Sequence, residues 1–246
     1  MSASLTTRGP AGPVPPSGRR RPDAVLVAVA VATAVAFVLR LVQLNDSLFG
    51  DELYTYVIAS RADLGDVVAG VQSQLEVTPP LYAILAWLAQ QAGDPLMWIR
   101  VPALLASTAT VPLVYALGAH AGSRRGGAIA AAAWAIAPFA VFFGVEARGY
   151  SLLACLVAAS TVTLMRAVRG GRWPWAAYAA LTTATIYTHY TSIFAIGAQA
   201  LWVLLFHRRS VLPLVGCYAV AAIAFVPWIG ELRKDQNALG SAIIAF

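Results

Sequence analysis

The sequence predicts an all-α integral membrane protein: about seven transmembrane helices, with a long first outer loop carrying membrane-lying amphipathic helices. Three observations predict it. Hydrophobic residues make up 59% of the 246 and charged residues only 11%, where a water-soluble domain carries about a quarter charged. The mean hydropathy is +0.71. The apolar runs are long, rich in Ala, Val and Leu, and most of the connections between them are short.

Residues 1–22 are rich in Pro, Gly, Ser and Arg and lack apolar periodicity, which predicts a disordered cytoplasmic tail. Arg19-Arg20-Arg21 then precedes the first apolar run. A signal peptide begins in this way, but a run of about 20 residues is long for one. An uncleaved anchor fits better, with the triple Arg held in the cytoplasm. Residues 23–230 form the transmembrane module. Its spans are expected over about 24–44, 99–119, 127–144, 150–167, 174–188, 191–206 and 211–230, with an outer loop over 45–98. Residues 231–246 are expected to be an outer tail or the start of a missing C-terminal part.

The run over 79–92 is about 14 residues, short for a crossing. Pro79-Pro80 and Gly93-Asp94-Pro95 bound it with helix breakers. Charge parity decides its treatment. If 79–92 does not cross, eleven of the 17 Lys and Arg fall inside, and of the eleven acids only Asp23 does. If it crosses, the loops bearing Arg124-Arg125 and Arg166, Arg169 and Arg172 move outside, against the positive-inside tendency. A re-entrant or interfacial helix is therefore expected at 79–92. The 45–98 loop is then unusually long, and long ordered loops are often functional. Leu53, Tyr56, Val57 and Ser60, then Leu64, Val67, Val68 and Val71, recur in it at helical spacing, as in helices lying on a membrane.

The net charge of +6 follows from loop asymmetry, and no basic-aromatic nucleic-acid module is present, so no nucleic-acid partner is expected. Cys155 and Cys217 lie in apolar runs without metal-ligand spacing and read as buried free thiols.

Four groups could carry chemistry. Asp51 and Glu52 open Gly50-Asp51-Glu52-Leu53-Tyr54 just after the first span. Their side chains point about 100° apart on a helix, so they cannot share one role. An Asp at a helix start is also a good cap, and an adjacent Glu suits the helix dipole, so capping competes with catalysis for the pair alone. Glu146, Arg148 and Tyr150 lie in Val145-Glu146-Ala147-Arg148-Gly149-Tyr150, between spans three and four. Charge at a membrane boundary is often functional, though such a pair can simply anchor helix ends, and Tyr150 suits an aromatic belt. His189, in Tyr187-Thr188-His189-Tyr190, is the one histidine expected outside. Arg100 starts the second span, where snorkelling is the plain account. All these groups gather at the outer interface while the spans are almost free of ionisable residues. A transporter would place polar groups near the midplane. An enzyme whose substrate arrives in the membrane fits better.

Gly50-Asp51-Glu52-Leu53-Tyr54-Thr55-Tyr56, Thr78-Pro79-Pro80-Leu81-Tyr82, Ile99-Arg100-Val101-Pro102, Glu146-Ala147-Arg148-Gly149-Tyr150 and Thr188-His189-Tyr190 resemble, in order and spacing, the GT-C membrane glycosyltransferases. They resemble most the bacterial branch related to dolichyl-phosphate-mannose protein mannosyltransferases and aminoarabinose transferases. The resemblance implies a cytoplasmic N-terminus and an extracytoplasmic active face in the plasma membrane. It implies an inverting transfer of sugar from a polyprenyl-phosphate donor to a protein, lipid or glycan acceptor in the cell envelope. Asp51 matches the loop-one acid, the general base, and Glu52 the adjacent orienting acid. Arg100, Glu146, Arg148, Tyr150 and His189 match positions near substrate or phosphate. A carboxylate can take the proton from an attacking hydroxyl, and a phosphate leaving group needs positive charge. The acids could bind a divalent metal, but no ligand set stands out and no cofactor is assigned. Family members continue through further spans, so the rival reading is a non-catalytic or truncated module of the same family; a small-solute transporter ranks third.

Overall fold

The computed structural model describes residues 23–75 and 77–244. The tail expected over 1–22 lies outside the described residues. Among those described the chain is all helix and turn, as expected for an all-α membrane protein. The helices are α1 Ala24–Leu41, α2 Glu52–Ala59, α3 Leu64–Gly70, α4 Leu81–Gln90, α5 Pro95–Trp98, α6 Val101–Ala121, α7 Arg124–Ile136, α8 Pro138–Phe142, α9 Gly149–Ala167, α10 Arg172–Ile186, α11 Ser192–Phe206, α12 Val211–Phe225 and α13 Ile229–Ile244.

Among the described residues, four helical runs are long and apolar enough to cross a membrane: Ala24–Leu41, Pro95–Ala121, Gly149–Ala167 and Arg208–Asn237. Leu81–Gln90 and Ser192–Phe206 are shorter apolar helices. The stretch expected as one span over 127–144 is two helices. Pro138 has no N–H to continue the ladder and pushes Ala137 into an extended conformation, ψ 126°. At Pro227 a 3₁₀ turn, Val226–Trp228, interrupts the final run, which then stays helical to Ile244 rather than ending at 230.

Local caps fix the helix starts. Asp23, Asp63, Asp94 and Ser123 accept from the N–H groups of Val25, Asp66, Leu96 and Gly126 at 2.9–3.0 Å. α6 packs on α7 and α9, α10 on α9 and α12, and α1 on α6 and α7. Gly118 and Gly127 let α6 and α7 approach closely: a Cβ on Gly118 would sit 2.7 Å from the Gly127 Cα. α1 and α7 run parallel, for Asp23 pairs with Arg124 at one end while Arg40 bonds the Ala135 and Ala140 carbonyls at the other.

Asp46, Ser47, α2 and the start of α4 gather at that second end. The α4 start is bonded there through Leu81 N–H to the Tyr187 carbonyl at 3.0 Å. The other end of α4 returns to the loop, where the Gln90 amide meets the Ala59 carbonyl and Trp87 Nε1 donates to the Arg61 carbonyl. α2 turns Glu52, Thr55, Ile58 and Ala59 inward. Leu53 and Val57 stay about half exposed, whereas Val67 and Val71, expected on the same kind of outward face, are buried with Ile58, Ala83 and Trp228.

Candidate functional site

Glu52 and Arg100 form the centre of the loop-bearing end. The Arg100 Nε donates to Glu52 Oε1 at 2.8 Å and its Nη2 to Oε2 at 2.6 Å, a two-pronged pair with both side chains 5% exposed. Glu52 also accepts from the Ala147 N–H at 2.8 Å and the Phe49 N–H at 3.2 Å. One carboxylate thus ties α2, the start of α6 and the α8–α9 turn together. Burial pushes the Glu52 carboxyl up, but Arg100 and the two N–H donors outweigh it and hold it below the ordinary carboxylate value.

Arg100 makes further bonds. Nη1 donates to the carbonyls of Leu44 at 3.1 Å and Asp46 at 2.5 Å, and Nη2 to that of Ser47 at 3.1 Å. All five guanidinium donors therefore have partners within the protein. This arginine, expected near phosphate, organises the first turn of the loop.

Asp51 stands in the opposite environment. Its side chain is 59% exposed, and it occupies the position before α2 without making a side-chain cap bond. The capping role that competes with catalysis for this residue is absent. Its Oδ2 lies 3.7 Å from Nη2 of Arg148, whose side chain is 10% exposed. The Arg148 guanidinium carbon sits 6.0 Å from the Tyr150 ring centroid, and that ring lies 5.9 Å from the imidazole of His189. The Thr191 N–H donates to His189 Nδ1 at 3.2 Å, which leaves Nε2 to carry the proton of the neutral ring. Burial, and then the positive charge of Arg148, lower the His189 pKa.

Glu146 is the third acid. Its Oε2 is buried without a hydrogen-bond partner. Burial raises its pKa and the negative charge of Glu52 raises it further, with Arg148 opposing. The seven residues expected at the site thus share one end of the bundle, in two groups. Glu52, Arg100 and Glu146 line one cavity, and Asp51, Arg148, Tyr150 and His189 follow one another across the adjoining surface. Among the described residues no group of three or more His, Cys, Asp or Glu is placed to hold a metal ion.

Arg40 shows what sequence reasoning missed. It is fully buried and donates to Ser107 Oγ at 2.6 Å and to the carbonyls of Ala36, Ala135 and Ala140 at 2.9–3.1 Å. It bridges the break that Pro138 makes between α7 and α8. A lone Arg inside an apolar run was the available signal. Asp46 and Ser47 were missed as well, because their carbonyls, not their side chains, hold Arg100.

The fold is that of an all-α integral membrane protein with a buried ion pair and further acids gathered at one end. Residues 77–230 match the family model described as dolichyl-phosphate-mannose-protein mannosyltransferase, and the chain belongs to that family. Arg100, Glu146, Arg148, Tyr150 and His189 fall inside the matched stretch, whereas Asp51 and Glu52 precede it. No curated protein and no solved structure matches the chain.

Proposed function

We propose that the chain is an inverting glycosyltransferase that moves a sugar from a polyprenyl-phosphate donor to an acceptor hydroxyl on the extracytoplasmic face of the plasma membrane. Asp51 is the general base. The acceptor oxygen gives its proton to Asp51 as it attacks the anomeric carbon, and the polyprenyl phosphate leaves with the bonding electrons. A phosphate leaving group needs little protonation, so a single displacement with one carboxylate base is sufficient. Arg148 neutralises the departing phosphate, with His189 and Tyr150 beside it. Glu52 and Arg100 hold the frame on which Asp51 and Arg148 meet.

The observation that carries this reading is the solvent-facing Asp51 carboxylate 3.7 Å from a largely buried Arg148. A base needs access to its substrate and the leaving group needs a cation close by; both groups are fixed to one frame. The orientation rests on charge: seven Arg, at 124, 125, 166, 169, 172, 208 and 209, lie at the helix ends and turns away from the site. Seven crossings, with α4 lying at the interface, accommodate that orientation.

The test is Asp51→Asn in membranes supplied with a polyprenyl-phosphate sugar and extracted cell-envelope acceptor. Sugar transfer is expected to vanish while membrane insertion and unfolding midpoint stay at wild-type values. Transfer at the wild-type rate would remove Asp51 as the base. Mass spectrometry of envelope glycans and lipids from a deletion strain then names the sugar and the acceptor.

A further inference from the structure

The space beside the Glu52–Arg100 pair carries an assignment of its own. A cavity of about 200 Å³ opens there, lined by Glu52, Arg100, Glu146, Asp46, Phe49 and Phe142 among others. Its walls mix charged groups with two exposed aromatic rings, Phe49 at 83% and Phe142 at 60%. That mixture suits a carbohydrate, whose C–H faces pack on rings while its hydroxyl groups seek acids and amides. The charged groups differ in availability. All five N–H donors of Arg100 are used within the protein, and both oxygens of Glu52 already accept. Glu146 alone among these three brings a buried oxygen, Oε2, without a partner.

We propose that this cavity is the sugar subsite and that Glu146 grips a sugar hydroxyl in it. The inference rests on the glycosyltransferase reading and assigns the place of the sugar within it. The environment selects a polyol over phosphate. Glu146 faces the negative charges of Glu52 and Asp51, and Arg148 and Arg100, the cations near it, are both engaged elsewhere. Burial and those acids raise the Glu146 pKa. A carboxyl group can accept from a neutral hydroxyl, whereas a phosphate brought here would meet the negative charges of the acids around it. The phosphate belongs on the other side of the frame, with Arg148. Burying an unpaired carboxyl has a cost that a bound hydroxyl removes, which favours a sugar over an analogue lacking that hydroxyl.

The experiment compares Glu146→Gln and Glu146→Ala with wild type in detergent. Two probes are used, a short-chain polyprenyl phosphate and the same lipid carrying mannose, and binding is read by tryptophan fluorescence. Glu146→Ala is expected to weaken binding of the sugar-bearing lipid roughly 10–100-fold and to leave the bare lipid unchanged. Glu146→Gln, which keeps a donor and an acceptor, is expected to stay near wild type. Equal weakening on both lipids, or no change on either, overturns the assignment, as does a Gln variant as weak as Ala. If wild type binds neither lipid, the glycosyltransferase reading falls and the subsite with it. Bound bare lipid with unaltered sugar discrimination in Glu146→Ala overturns the subsite alone.

Discussion

Removing the Glu52 carboxylate should collapse the frame before it affects any chemistry. Four hydrogen bonds end on that side chain, two of them from the Arg100 guanidinium. A hydrogen bond to a charged group contributes about 1.5–3 kcal/mol net. Truncating one partner of a buried ion pair costs about 3–5 kcal/mol, because the other charge is left behind. In Glu52→Ala the carbonyls of Leu44, Asp46 and Ser47 still surround Arg100, so the lower end, about 3 kcal/mol, is expected. The assay is SDS-driven unfolding in mixed micelles, followed by the fluorescence of the seven Trp residues. Arg100→Leu and the double variant complete a cycle, in which the double variant should lose about 1–3 kcal/mol less than the sum of the singles. The pH dependence has a definite sign. The folded Glu52 pKa lies below its ordinary value of 4.5, so its contribution is fully present above 4.5 and is lost as pH falls through the folded value. Glu52→Gln should lack that acid-side decline, whose slope is at most about 1.4 kcal/mol per pH unit. A loss under about 1 kcal/mol in Glu52→Ala, or an additive cycle, would refute the frame.

Arg40→Leu strips the donor from Ser107 and the carbonyls of Ala36, Ala135 and Ala140, and should cost about 3 kcal/mol or more by the same unfolding assay. Gly127→Leu should separate α6 from α7, since a Cβ there would sit 2.6 Å from the Tyr115 carbonyl; a crosslinking pair across these helices is expected to lose efficiency. His189 has a folded pKa below 6.5, so the neutral ring favours the fold above that value and the contribution fades as pH falls through the folded pKa. His189→Asn should flatten the stability decline on the acid side of pH 6.5, measured by unfolding midpoints across pH.

Much of the fold was legible because lipid imposes simple rules. Apolar length and Arg-bearing loops marked the helical runs, and helical spacing marked α2 and α3. The break at Pro138 was overlooked because the residues around it are uniformly apolar, and hydropathy does not register a missing N–H. The site was legible as a set of motifs and illegible as a network. Nothing in the spacing of Glu52 and Arg100, 48 positions apart, says that they pair. Nor could the sequence show that backbone carbonyls of Leu44, Asp46 and Ser47 consume the remaining donors of Arg100, since every residue carries a carbonyl. Side-chain identity located the charges; only the path of the loop determined which were left for substrate.

The division between Asp51 and Glu52 follows from that path. Adjacent positions at a helix start differ by about 100° in direction, so one side chain turns into the bundle and the other away from it. The inward acid meets an arginine and two N–H groups, is held ionised, and becomes too well satisfied to take a proton from a weakly acidic hydroxyl. The outward acid makes no cap bond and keeps its oxygens accessible. Exchanging the two residues, as Asp51→Glu with Glu52→Asp, tests this division directly. The shortened inward carboxylate no longer spans to both Arg100 and the Ala147 N–H, and the lengthened outward one no longer sits at the same distance from Arg148. Both stability and transfer should fall, and restoring Glu52 alone should recover stability while transfer stays impaired. Recovery of both from that single reversal would show that the outward acid has no positional requirement, and the base assignment to Asp51 would then fail.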